Sequence, residues 1–261
     1  MESEEALLSR REVLRQVAKA AGDCLRQHYG NTVQIRHKGD INLVTQADNA
    51  AEAVVIEAIA KAFPSDTIVA EESGRCQGSN EWHWVIDPLD GTTNFASSLP
   101  HFAVSIGLVH KGEILAGVVF DPIKNDWFEG CKGEGAFLNG KPIGVSQKKD
   151  LGQALTATGF PYDRRQRMPA LLQRAENILM CTRGLRRLGA AALDLAYVAC
   201  GRLDIFLEDG LNSWDIAAGL ILVREAGGEV LRFDGNPACL EKGEVVAANP
   251  FLSRQALARL I

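Results

Sequence analysis

Residues 82–95, Trp-His-Trp-Val-Ile-Asp-Pro-Leu-Asp-Gly-Thr-Thr-Asn-Phe, constrain the fold more than any other stretch. Aromatic and β-branched side chains dominate its opening, the composition of a buried strand. Pro88 has no N–H to give to a sheet ladder, so the strand is expected to stop at Asp87. Asp90-Gly91 makes a sharp turn, and Thr92, Thr93 or Asn94 is placed to cap a following helical turn. Two carboxylates therefore stand at a strand end beside free backbone amides. Carboxylate oxygens are ligands for hard divalent cations, and free amides at a helix start favour phosphate. A strand closed by an ordinary Asp-rich turn is the plainer alternative, since Asp, Pro and Gly are common turn formers.

The pattern recurs. Residues 67–70 form a short apolar strand that runs into Glu71-Glu72-Ser73-Gly74, and residues 203–207 form another that runs into Glu208-Asp209-Gly210. Asp215 follows in the first turn of a helix for which Ser213 is the expected N-cap. Taken singly, Glu71-Glu72 reads as a solvated loop, and Asp215 as an acid that complements a helix dipole. In open sheets, however, sites collect at the carboxyl ends of strands. Carboxylates gathered there repel one another unless a cation neutralises them, and all-oxygen ligation suits Mg²⁺ or Mn²⁺. The histidines at 28, 37, 83, 101 and 110 have no metal-ligand spacing, and no Gly-x-Ser-x-Gly is present to suggest an α/β-hydrolase triad.

The remaining chain supplies helices and strands in two styles. Leu7, Leu14, Val17, Ala18, Ala21 and Leu25 recur at helical spacing over 4–28, and Gly30-Asn31 ends that helix. Lys38-Gly39-Asp40 marks a loop and Asn42-Leu43-Val44 a short extended piece. Thr45-Gln46-Ala47-Asp48 then opens a second helix with a capping box, Asp replacing the usual Glu or Gln; the capping role alone accounts for Asp48. Residues 75–81 read as a surface loop. Residues 104–109 and 113–120 form a hairpin across His110-Lys111-Gly112, extended by strands at 126–129 and 136–138. Residues 1–149 are thus expected to be an α+β half. Beyond 150, strands at 154–158, 203–207, 229–233 and 245–248 alternate with helices at 168–181, 190–200, 213–226 and 250–261, an α/β half. Leu171, Leu172, Ala175, Ile178 and Leu179 are expected on the apolar side of the 168–181 helix. Arg183, Arg186 and Arg187 form a basic cluster that suits a solvated face, a subunit contact, or a phosphate or hydroxyl contact.

Composition narrows the partners. A chain of 261 residues with 46% hydrophobic and 23% charged residues has the make-up of a soluble globule with a sizeable core. Its net charge of −5 argues against a general nucleic-acid surface, and no apolar run approaches the ~20 residues of a membrane span. Six scattered cysteines without a Cys-x-x-Cys pair read as reduced thiols. Met-Glu-Ser-Glu-Glu has the wrong charge for a leader. A cytoplasmic protein is expected.

Asp87-Pro88-Leu89-Asp90-Gly91-Thr92-Thr93-Asn94-Phe95 and Trp214-Asp215-Ile216-Ala217-Ala218-Gly219, the latter followed by Glu225-Ala226-Gly227-Gly228, resemble the two signatures of the inositol monophosphatase family. Thr45–Asp48, Glu71–Gly74 and the glycines between 133 and 140 match it in the same order, so the resemblance covers nearly the whole chain. It implies the layered αβαβα sandwich of the lithium-sensitive, magnesium-dependent phosphatases. It further implies that Glu71, Asp87, the carbonyl of Leu89, Asp90 and Asp215 hold two or three Mg²⁺ ions, with Mn²⁺ a possible substitute and Asp87 bridging two of them. Glu71 and Thr92 match the pair that orients and deprotonates the attacking water, and Asp48 the residue that holds Thr92. Gly91 and Thr92 amides match the phosphate contacts. Gly189, Ala190, Ala191 and Glu208 match contacts to substrate hydroxyls, and Arg186 is the candidate contact from the basic cluster. The implied reaction is hydrolysis of a small phosphate ester, inositol 1-phosphate or a related polyol phosphate, by a homodimer. Fructose 1,6-bisphosphate and histidinol phosphate are alternative substrates. A regulatory, RNA-associated protein on the same scaffold is the rival of another class.

Overall fold

Apolar strands alternating with apolar-faced helices stack into five layers. The computed structural model describes residues 2–31, 35–37 and 43–260; Lys38-Gly39-Asp40 and Asn42 lie outside them. In chain order the elements are α1 (Glu2–His28), β1 (Ile35–His37), β2 (Leu43–Thr45), α2 (Gln46–Ala62), β3 (Thr67–Ala70), β4 (Gly74–Cys76), β5 (Trp82–Asp90), α3 (Thr92–Ala96), β6 (Ala103–His110), β7 (Glu113–Asp121), β8 (Asp126–Cys131), β9 (Gly135–Leu138) and β10 (Lys141–Pro142). There follow β11 (Leu155–Thr158), α4 (Arg164–Leu179), β12 (Gly184–Arg186), α5 (Ala191–Ala199), β13 (Ile205–Glu208), α6 (Ser213–Glu225), β14 (Glu229–Leu231), β15 (Val245–Ala248) and α7 (Pro250–Leu257).

Eight strands form a mixed sheet in the order β10-β9-β8-β7-β6-β5-β3-β4, and five form a second in the order β12-β11-β13-β15-β14. Side chains alternate across each strand, and here both faces are buried. Trp84, Ile86, Val104, Ile106 and Leu108 of the large sheet meet α1 and α2. Val85, Val119 and Phe128 point the other way, into a layer of α5 and α6 shared with Phe206 and Ala247 of the small sheet. Ile205, Leu207, Val246 and Ala248 face outward against Ile178 of α4 and Leu252 and Ala256 of α7. The layers are therefore α, β, α, β, α, as the family resemblance implies.

Small residues fix where α6 lies. A Cβ at Gly107 would stand 2.6 Å from Ala217 Cβ, and one at Gly117 would stand 2.7 Å from Ala218 Cα. Only glycines let the helix backbone come this close to β6 and β7, and that close seat places its first turn over the strand ends. On the opposite face, Asp66 ties α1 to the sheet. It accepts two bonds from Arg10 (2.7 and 2.8 Å), one from Asn80 (2.7 Å) and one from Trp84 Nε1 (2.8 Å). The Arg10 guanidinium lies 4.4 Å from the ring centres of both Phe63 and Trp82.

Several sequence expectations are corrected. β5 does not stop at Asp87 but continues through Pro88 to Asp90. Asp87 pairs Ser105 while Asp90 pairs Ala103, so three steps on β5 oppose two on β6. That extra residue is a bulge, in which a proline without N–H is tolerated. α3 is preceded by Gly91 at φ +93° with no side-chain cap, so neither Thr92, Thr93 nor Asn94 plays that part. The α6 cap is Asn212, one residue before the expected Ser213. Residues 74–76 form an edge strand that takes in the start of the expected 75–81 loop, and 184–186 form another inside the basic cluster. On α4, Leu171 and Ile178 are buried, but Leu172 and Leu179 face outward. The capping box at Thr45 and Asp48 forms as its sequence indicates.

Candidate active site

β3 and β5 run parallel, so their carboxyl ends lie side by side. Glu71 follows the first and Asp87 and Asp90 close the second. The end of β13 brings Glu208, the start of α5 brings Ala191, and the start of α6 brings Asp215. These residues, with Leu89, Gly91, Thr92, Gly189 and Ala190, line one cavity of about 630 Å³.

The acids are held by backbone amides and press on one another. Asp90 accepts the N–H groups of Ala191 (3.1 Å) and Ala192 (2.8 Å), the open end of α5. Its carboxyl is nevertheless pushed up to about 7, by burial first, with these amides opposing and the charge of Glu71 adding. Asp87 accepts the N–H of Leu89 at 3.0 Å. It is raised well above the carboxylate range by burial and then by Glu71, Asp90 and Asp215. Asp215 accepts the N–H of Asn212 at 2.6 Å and is pushed up to about 7 by burial and Asp90. Carboxyls that raise one another in this way favour either a proton or a cation between them.

Beside them Thr92 is fixed from behind. Its Oγ1 lies 3.0 Å from Asp48 Oδ1 and 3.1 Å from the Leu89 carbonyl. Asp48 Oδ2 is engaged by the Thr45 N–H (2.8 Å) and hydroxyl (2.5 Å). Asp48 thus serves both as the capping acid of α2 and as the anchor of Thr92. Burial raises its pKa, and the bonds from Thr45 and Thr92 oppose the rise. Gly91 is required twice over: φ is +93°, and a Cβ would sit 3.1 Å from the His101 carbonyl and 3.3 Å from Ala190 Cβ.

Towards α5 and β13 the wall changes character. Glu208 is pushed up to about 8 by burial, with Arg187 opposing and Asp215, Asp90 and Asp209 adding. The loop passes close over its carboxylate at Gly159, where a Cβ would make the Glu208 side chain shift. Arg187 lines the cavity, whereas Arg186 is turned away, its guanidinium donating to the Leu185 carbonyl at 3.1 Å. Tyr162 and Asp194 also line the cavity without having been singled out in the sequence. Partial burial, then the charges of Glu71, Asp215, Asp87 and Asp90, push the phenol of the half-exposed Tyr162 up. A signal for Asp194 was available: it is the one charged residue in the otherwise apolar α5.

Among the described residues no three His, Cys, Asp or Glu side chains form a ready-made metal cage by themselves. Magnesium seldom uses one, since it keeps several waters and takes one or two carboxylates plus substrate phosphate. The donors offered are carboxylates and the Leu89 carbonyl, all oxygen and crowded enough to raise one another's pKa. They fit a hard divalent cation.

Two mixed sheets layered with helices, and strand-end acids at one cavity, define the phosphatase scaffold of the inositol monophosphatase type. The chain belongs to the inositol monophosphatase family, which it matches over residues 7–261. It is 45% identical to Nus factor SuhB of Escherichia coli strain K12 over 246 residues, 93% of this chain and 92% of that protein. Among solved structures, inositol monophosphatase from Anabaena (Nostoc) sp. PCC 7120 is 41% identical, with a TM-score of 0.89 over 98% of this chain and 96% of that one. The extragenic suppressor protein suhB from Bartonella henselae gives a TM-score of 0.92 at 39% identity, over 96% and 97% of the two chains.

Proposed function

We propose that the chain is a Mg²⁺-dependent phosphomonoesterase that hydrolyses inositol 1-phosphate and related polyol phosphates. The convergence of Glu71, Asp87, Asp90 and Asp215 on one cavity, beside the Asp48–Thr92 hydrogen bond, carries this reading. Membership of the family and likeness to the Anabaena protein support it. Glu71, Asp87, the Leu89 carbonyl, Asp90 and Asp215 would hold the cations. When bound, two or three Mg²⁺ ions, or Mn²⁺ in their place, make water acidic and stabilise charge on the departing oxygen.

The chain's own groups do the rest. Asp48 takes up the Thr92 proton in a hydrogen bond, which leaves the Oγ1 lone pairs free to orient a water. Glu71 removes a proton from that water as its oxygen bonds to phosphorus. Gly91 and Thr92 amides donate to the phosphate oxygens as charge grows there. The phosphorus–oxygen ester bond breaks, and the leaving oxygen, taking a proton from solvent water, departs as the alcohol towards Glu208 and the Gly189–Ala191 turn. No covalent enzyme intermediate is required.

The test is turnover of inositol 1-phosphate, fructose 1,6-bisphosphate and histidinol phosphate with Mg²⁺ titrated and Li⁺ added. Expected are Mg²⁺-dependent release of phosphate, the highest kcat/KM on inositol 1-phosphate, and inhibition by Li⁺. Full turnover in excess chelator, or unchanged activity in Asp90→Asn, overturns the reading. We further propose a cytoplasmic homodimer, whose mass sedimentation measures. The boundary at residue 150 separates the part bearing Glu71, Asp87 and Asp90 from the part bearing Asp215.

A second reading has its own support. The Escherichia coli relative carries the name Nus factor, and Arg165, Arg183, Arg186 and Arg187 are exposed. A regulatory, RNA-associated role on the same scaffold predicts RNA binding that falls with salt and survives Asp215→Ala. Absence of binding at physiological ionic strength removes it.

A further inference from the structure

Asp194 lies in the first turn of α5, is 1% exposed, and borders the cavity. Its Oδ1 has no hydrogen-bond partner. Nothing in the reaction derived above uses it. As a structural element it is a liability, because a buried polar atom left unpaired destabilises the fold. The start of α5 cannot relieve it: the Ala191 and Ala192 amides are given to Asp90, and the amide of Asp194 itself bonds the Ala190 carbonyl. The cavity, which Asp194 borders, is the side from which a partner can reach its carboxyl.

The neighbours define what that partner is. Burial first, and then the charges of Asp90 and Glu208, hold the Asp194 carboxyl well above the usual carboxylate range, while Arg187 opposes them. Arg187 likewise opposes the rise at Glu208. A protonated carboxyl both donates and accepts, and a guanidinium only donates. A second phosphate only accepts and brings negative charge towards Asp90 and Glu208. An ammonium only donates and meets Arg187. Of the groups a substrate alcohol could bring, a hydroxyl donates and accepts without charge and answers the whole set.

We propose that Asp194 is a specificity-determining residue that hydrogen-bonds a hydroxyl of the substrate's alcohol, so that the cavity selects phosphate esters of polyols over esters of simple alcohols and over bisphosphates. This rests on the phosphatase reading and adds to it the residue that recognises the alcohol.

The test compares kcat/KM for inositol 1-phosphate with that for propyl phosphate, whose alcohol has no further hydroxyl, in wild type, Asp194→Ala and Asp194→Asn with Mg²⁺. The wild type should prefer the polyol ester. In Asp194→Ala that preference should fall about tenfold, the worth of one hydrogen bond, chiefly through KM. Asp194→Asn, which still donates and accepts, should recover most of it. Melting of the metal-free proteins separates specificity from structure: Asp194→Ala should melt no lower than wild type, because it loses an orphaned oxygen. An unchanged preference in Asp194→Ala overturns the proposal, as does a fall in melting temperature with equal losses on both esters. A wild type that turns over both esters equally also overturns it while leaving the phosphatase reading intact, and needs no variant to show it. A wild type that turns over neither sinks both.

Discussion

Replacing Asp215 with Asn tests whether the acids oppose folding until a cation joins them. The Asp215 carboxyl rises from 3.8 to about 7 in the fold, through burial and the charge of Asp90. An acid whose pKa is raised by folding binds its proton more tightly in the native state, so stability falls as pH climbs between the two values. At about 1.4 kcal/mol per decade of proton affinity, the rise amounts to about 4 kcal/mol. Asp90 shares the same repulsion, so about 2–4 kcal/mol is the expected release for one neutralised member. Asparagine can keep the cap, since its amide oxygen accepts the Asn212 N–H that Asp215 Oδ2 accepts now. Denaturant unfolding in chelator is the assay. Asp215→Asn should be more stable than wild type by that amount at pH 8, and the gap should close towards pH 4. Added Mg²⁺ should stabilise the wild type and do little for the variant. Equal stability of the two proteins at pH 8 in chelator, or a wild type as stable at pH 8 as at pH 5, refutes the reasoning.

Thr92→Ala should lower kcat about a hundredfold with little change in melting temperature, and Thr92→Ser should restore most of the loss; an active alanine variant removes Thr92 from the mechanism. Asp66→Ala strips four hydrogen bonds from a buried carboxylate and leaves Arg10 uncompensated between two rings. It should cost about 3–5 kcal/mol in urea unfolding, and a loss below about 1 kcal/mol contradicts that account. Gly117→Ala places a Cβ against the backbone of α6. It should cost about 1–3 kcal/mol through overpacking and weaken Mg²⁺ binding measured by calorimetry, because Asp215 moves with the helix; unchanged Mg²⁺ affinity would separate the helix seat from the site.

Strands and helices were legible from their patterning, whereas the five-layer stack was reached through the resemblance of the two signatures to the inositol monophosphatase family. The cavity was legible because three strands and a helix start ended in acids. What escaped notice depended on partners far along the chain. Pro88 reads as a strand end until a bulge against β6 accommodates it. Strands β4 and β12 are three residues each, too short for periodicity to register, and exist only because β3 and β11 offer open edges. Leu172 and Leu179 sit at helical spacing with buried residues, yet half their surface stays open. Arg186 and Arg187 are adjacent and both exposed, yet only Arg187 borders the cavity. Asp194 was hidden in an apolar run, where a single acid looks like an accident of composition.

The glycine seat of α6 bears on how the molecule is made. A chain emerging from the ribosome displays Glu71, Asp87 and Asp90 well before Asp215 has been synthesised. Until α6 is gripped from both sides, the last acid has nowhere to stand. On the proposed function, incomplete products and fragments cut before α6 should therefore be inert towards phosphate esters.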